Sequence, residues 1–259
     1  MRCIKKQAEP RIFIEWKKSM QMYAPQNLTY NNLPTTKDES EKSVSAEVKK
    51  ALLVEQGYLC AYSLRRLSLD NCHIEHVLAQ NTHPHLDVDY QNMAACFPKS
   101  GGDLSHGYGA PVKSGACVKW ANSSDCSRSN CAEKPCEAVI NFVSPYSVNC
   151  EKRFSYKANG EVQGLDAEAI ETIELLKLNH QNLIDLRRRE IQANGLSVRS
   201  DRCKSPTEAR RFAESVFQLD EQKRLVPFCT ALHQIALDYA SKQEARSKGI
   251  VRSRQSIKK

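Results

Sequence analysis

The sequence predicts an α+β chain that is mostly helical, on three observations. The C-terminal third carries apolar residues at helical spacing behind recognisable start signals. Two short central segments have strand character, one of them around an Asn-Gly turn. Between these and the N-terminus lies a stretch rich in His, Asn, Cys and Gly that suits neither a long helix nor a long strand.

Residues 1–42 read as irregular: they hold Pro10, Pro25, Pro34 and a polar run over 31–43, with one apolar-aromatic patch, Ile12-Phe13-Ile14-Glu15-Trp16. Residues 43–56 read as a helix, because Val44, Val48, Ala51, Leu52 and Glu55 fall near helical spacing and Gly57 is placed to end it in a left-handed conformation. A strand is expected over 138–143. A hairpin is expected over 153–163, with Asn159-Gly160 turning between Phe154/Tyr156 and Val162. From Asp166 the chain becomes helical. Ile170, Ile173 and Leu176 form one stripe. Asn179 is a candidate cap for a second segment carrying Leu183, Leu186 and Ile191, ended by Gly195. Ser205-Pro206-Thr207-Glu208 has the form of a capping box ahead of Ala209, Phe212, Ala213, Val216 and Phe217. Pro227 is expected to open a last helix with Phe228, Leu232, Ile235 and Tyr239 on one side. These stripes are core rather than site. There is no internal repeat.

Composition narrows the class. The chain has 259 residues, 41% hydrophobic and 26% charged, which excludes wholesale disorder and allows one large domain or two small ones. No apolar run approaches the ~18 residues of a membrane span. The basic start, Met1 to Lys6, is not followed by an apolar core, so a secretory signal is not expected and the cytoplasm is the expected location. In that reducing compartment the eleven cysteines are metal ligands or small buried hydrophobes rather than disulfides. The formal charge is +8, of which +6 falls in the last twenty residues. That tail, with Arg252, Arg254, Lys258 and Lys259, reads either as a solvated terminus or as an arm contacting nucleic-acid phosphates.

The chemistry concentrates in Asn71-Cys72-His73-Ile74-Glu75-His76, then Asn92-Met93-Ala94-Ala95-Cys96, then Asp103 and His106. A carboxylate beside a histidine can hold a metal and supply a base. Adjacent residues on a strand point to opposite faces, so Glu75 and His76 share a site only if the strand breaks there. The loop-like segment over 79–87 is consistent with such a break.

This arrangement resembles the HNH nuclease family, whose core is a two-stranded hairpin and a helix around one metal. Gly57-Tyr58-Leu59-Cys60-Ala61-Tyr62-Ser63 resembles the turn ahead of that core, and His73-Ile74-Glu75-His76 its first strand. The resemblance implies His76 as general base, Glu75 as metal ligand and Asn92 as the residue that holds the His76 loop. It implies His106 as the last metal ligand, with Asp103 as the fallback. His73, one strand period from Glu75, is read as structural. The implied cofactor is a divalent ion, Mg²⁺ or Mn²⁺, with Zn²⁺ the alternative. Cys-x-x-Cys pairs that hold a structural zinc in many members are half missing here, as Cys60/Ser63 and Cys96/Lys99. Cys117, Cys126, Cys131 and Cys136 have no familiar ligand spacing, and a structural role is placed ahead of a second zinc site.

A closer resemblance, over residues 1–195, is to the PtuB subfamily, the HNH subunits of Septu anti-phage systems, also found with retrons. It rests on Met1-Arg2-Cys3-Ile4-Lys5-Lys6 with Pro10 and Trp16, on Phe154-Ser-Tyr-Lys-Ala-Asn-Gly-Glu-Val, and on Leu175-Leu-Lys-Leu-Asn-His-Gln-Asn-Leu followed by Arg187. It implies an effector endonuclease cutting DNA, with tRNA or other RNA as a further substrate. It also implies a PtuA-like ATPase subunit as partner and, in retron versions, an RNA–DNA hybrid and its reverse transcriptase. The expected layout is an N-terminal arm and helix over 1–57, a ββα-metal nuclease core over 58–115, and a Cys-rich strand and hairpin region over 116–164. A helical region over 165–247 and a basic tail over 248–259 complete it. The other reading is a non-catalytic, zinc-stabilised nucleic-acid-binding or interaction subunit.

Overall fold

The computed structural model describes residues 1–35, 43–99, 106–113, 116, 118–119, 140–197, 200 and 202–256, with the backbone alone for residue 119 and for 248–256. It is an α+β fold dominated by helices. Among the described residues, three two-stranded sheets accompany them. No described helix is long and apolar enough to cross a membrane.

The N-terminal arm departs from the sequence reading. It contains a helix, α1 (Arg11–Tyr23), opened by Pro10 and burying Phe13 and Trp16. Phe13, Trp16 and Met20 lie at i, i+3 and i+7, which is one helical face, and the prolines only bound the helix. The second helix, α2 (Val44–Glu55), is capped by the Ser43 hydroxyl, which accepts from the Ala46 amide, and Val48 and Leu52 are fully buried. Gly57 follows with φ +61. A Cβ there would meet the Leu225 side chain at 2.6 Å, so this turn needs glycine for its backbone conformation and for close approach.

The hairpin of β1 (His73–His76) and β2 (Met93–Cys96) follows, antiparallel, with Glu75 opposite Ala94 and His76 opposite Met93. All four β2 residues are buried. A one-turn helix, α3 (Ala110–Lys113), comes next. Short strands β3 (Val118–Lys119) and β4 (Ile140–Asn141) pair in parallel. The expected hairpin is β5 (Phe154–Tyr156) against β6 (Val162–Gly164).

Helices α4 (Ala167–Leu175), α5 (Gln181–Ala193), α6 (Pro206–Ser215) and α7 (Cys229–Ser256) complete the chain. Ser205 and Glu208 form the expected capping box. Three details differ from expectation. The Nδ1 of His180, not Asn179, caps α5, while the Asn179 carboxamide pairs with both the N–H and the C=O of Val162 at 2.8 Å. The last helix begins at Cys229 because Phe228 takes a left-handed φ of +54. It continues to Ser256, through the expected boundary at residue 247. Arg252 and Arg254 therefore lie on a helix, and Lys258 and Lys259 lie outside the described residues.

The helical half is bolted to the turn that precedes the hairpin. Leu225 donates to the Gly57 carbonyl at 3.0 Å and Phe228 to the Leu64 carbonyl at 2.9 Å. Arg66 donates to the Leu225 carbonyl. Behind β2, the buried Gln56 carboxamide donates to the carbonyls of Leu59 at 2.8 Å and Ala95 at 2.9 Å, and accepts from the Ala95 amide at 2.7 Å. Replacing Gln56 by Ala strands the Ala95 N–H in the core, and each orphaned buried group costs about 1–3 kcal/mol. Gln56→Ala is expected to lower unfolding free energy by about 3 kcal/mol, measured by urea denaturation; a loss within experimental error would show that the clamp is dispensable.

Candidate active site

Strand β1 ends at His76, and this break lets two adjacent residues face one space. Glu75 and His76 line a cavity of about 360 Å³ together with Tyr30, Ile74, Ala79, Gln80, Asn81 and Lys113.

Asn92 fixes the chain just past the strand. Its Oδ1 accepts from the Leu78 amide at 2.8 Å and its Nδ2 donates to the Leu78 carbonyl at 2.9 Å. Its own carbonyl accepts from Val77 at 2.9 Å. Asn92 is 5% exposed, so little water competes for these bonds.

His76 is 6% exposed, and its Nε2 lies 2.8 Å from the Asp87 carbonyl. A carbonyl only accepts, so the neutral ring carries its proton on Nε2 and keeps the lone pair on Nδ1. Burial lowers the pKa of His76 below the ordinary imidazole value, which favours the neutral ring. The Tyr30 and His76 rings meet nearly perpendicular, with centroids 4.7 Å apart. The Asp87 carboxylate accepts from the Tyr30 amide at 2.7 Å and from the Gln80 side chain. The carbonyl that orients His76 is thus anchored from both sides.

Glu75 is held by three side chains. Lys113 Nζ lies 2.7 Å from Oε1, the Tyr62 hydroxyl donates to the same oxygen at 3.2 Å, and His73 Nε2 lies 3.5 Å from Oε2. Burial pushes the carboxyl pKa up, but Lys113 and His73 outweigh it and bring it down to about 2. Burial acts to lower the His73 pKa, but Glu75 and the Pro98 carbonyl, which meets Nδ1, leave it raised overall. Lys113 is 2% exposed and also donates to the His76 carbonyl at 3.0 Å.

The remaining candidates are placed as follows. His106 is not brought to Glu75; its ring packs against Phe97 at 4.7 Å and near Tyr108 at 6.2 Å. Asp103 lies outside the described residues, as do Cys117, Cys126, Cys131 and Cys136. The seven described cysteines are free thiols, and Cys60 accepts from the Phe97 amide at 3.5 Å beside Cys96. No set of three His, Cys, Asp or Glu side chains placed to hold a metal occurs among the described residues. Both oxygens of Glu75 already face protein donors, so the described residues in this arrangement do not fit a divalent ion. Lys113 was not legible beforehand: it follows a Gly-rich stretch and reaches Glu75 across 38 positions.

Neither a protein-family model nor a curated protein matches the chain.

Asn92→Ala removes both bonds to the buried backbone N–H and C=O of Leu78. It is expected to cost about 2–3 kcal/mol and to speed hydrogen exchange at the Leu78 amide well beyond that at the Ala95 amide. Equal protection of Leu78 in variant and wild type would show that Asn92 does not hold this loop.

Proposed function

We propose that this chain is a phosphodiester hydrolase of the HNH type acting on nucleic acid, with His76 as general base. One observation carries the reading: a histidine oriented through Nε2 by the Asp87 carbonyl shares a cavity with Glu75 on a hairpin whose exit is pinned by Asn92. These are the positions at which the family resemblance implies those roles.

The chemistry follows from the residues. A water entering the cavity gives its proton to Nδ1 of His76 and attacks phosphorus; the P–O bond to the leaving sugar oxygen breaks, that oxygen takes a proton from solvent, and the Asp87 carbonyl stabilises the imidazolium that forms. The ring is prevented from turning, so the lone pair stays aimed without reorganisation during the reaction. Lys113 opposes the charge of Glu75 at 2.7 Å, so the wall does not simply repel a phosphodiester. DNA is the first substrate class, and tRNA or other RNA the second. A PtuA-like ATPase subunit is the proposed partner. The body outside the last twenty residues carries about +2, little for a protein that grips a duplex unaided.

The test is cleavage of supercoiled DNA and of tRNA, with and without Mn²⁺ and the ATPase partner. His76→Ala is expected to lose about 10²–10⁴-fold in rate, while His106→Ala stays close to wild type. Undiminished cleavage by His76→Ala would remove the base assignment. Salt-sensitive binding without cleavage under any of these conditions would favour the non-catalytic reading.

A further inference from the structure

The cation position on Glu75 is filled by the protein itself. Lys113 Nζ sits 2.7 Å from Oε1, where a hard cation would be drawn, and is almost entirely buried. It is not held by Glu75 alone: the His76 carbonyl accepts from it at 3.0 Å, so the ammonium bridges the two residues of the site. Tyr62 adds a neutral donor to the same carboxylate oxygen, and His73 faces the other. A lone buried ammonium is costly, and so is a lone buried carboxylate; each satisfies the other here.

We propose that Lys113 is a built-in counter-ion that competes with a divalent metal ion for Glu75, so that the metal gains the site only when this ammonium withdraws. The inference rests on the proposed function in one respect, that Glu75 is the residue a metal would use. It accounts for the absence of a ligand set around Glu75 among the described residues: the carboxylate is arranged for an ammonium. Two positive ions cannot share one carboxylate oxygen at contact distance in a buried cavity without strong repulsion. Neutralising the lysine therefore frees Oε1 and lifts that repulsion together. Lys113 keeps the His76 carbonyl as an acceptor when it leaves Glu75, which lowers the cost of withdrawal.

The experiment is a titration of the full chain with Mn²⁺ alone, reading free Mn²⁺ by electron paramagnetic resonance. Lys113→Met is expected to bind Mn²⁺ at least about tenfold more tightly than wild type. The gain is expected to vanish in the Lys113→Met/Glu75→Gln double variant. Equal or weaker binding by a folded Lys113→Met overturns the proposal, and so does a gain that survives Glu75→Gln. If Lys113→Met does not fold, wild type with ¹³C-labelled lysine decides. The Lys113 ε-carbon signal is expected to shift as Mg²⁺ is added, and an unmoved signal while Mg²⁺ binds in a Glu75-dependent way overturns the proposal. Neither readout requires cleavage, so loss of the nuclease reading, seen as indifference to His76→Ala, is distinct from loss of this one.

Discussion

Asn92 commits both ends of its carboxamide to the backbone of one residue, the N–H and the C=O of Leu78. A strand would otherwise carry His76 onward with its side chain on the face opposite Glu75. Ending β1 at His76 and clamping the next two residues to Asn92 turns the chain, and one cavity receives both side chains. The clamp holds only because the surroundings are rigid. Gln56 locks Ala95 on β2, and the Met93 carbonyl, on the residue opposite His76, accepts from Lys6 at 2.9 Å and from the Tyr146 hydroxyl at 2.6 Å. The N-terminal arm, the hairpin and the segment after β4 thus meet behind the site. In such close-packed surroundings a displaced hairpin would break several buried hydrogen bonds at once.

The electrostatics follow from that geometry. Glu75 is kept ionised by Lys113 and His73 despite its burial, and His76 is kept neutral by its own burial. Both adjacent residues are thereby left unprotonated near neutral pH, Glu75 as an anion and His76 as a neutral ring that can accept a proton. Lys6 repeats the pattern at the back of the hairpin, where it contacts Glu55 at 2.6 Å and lies 3.9 Å over the Tyr90 ring. That second pair is partly buried and ties the N-terminal arm to α2, so it holds the arm in place.

Local signals were legible in the sequence, and distant ones were not. The helix over 43–56, its Gly57 stop, the Asn159-Gly160 turn and the Ser205/Glu208 capping box each depend on residues within a few positions of one another. Helix α1 was missed because its prolines and polar neighbours masked a face made by Phe13, Trp16 and Met20. Asn179 is a good cap by type, but tertiary pairing with Val162 claims its carboxamide and leaves the cap to His180. At the site, Glu75, His76 and Asn92 fall in a short window and were found together. His106 was chosen across a Gly-rich stretch that carries no periodicity to fix its direction, and aromatic packing takes it to Phe97 instead. Lys113 gave no local signal, since nothing about a lysine after Pro-Val reveals that it will be buried against Glu75.

The proposed role of His76 requires a lone pair on Nδ1. Long-range ¹H–¹⁵N NMR of the His76 ring at neutral pH tests it directly. A neutral ring is expected, with an Nε2–H hydrogen-bonded to the Asp87 carbonyl and an unprotonated Nδ1. A ring protonated on Nδ1, whether as the other tautomer or as the imidazolium, would contradict it.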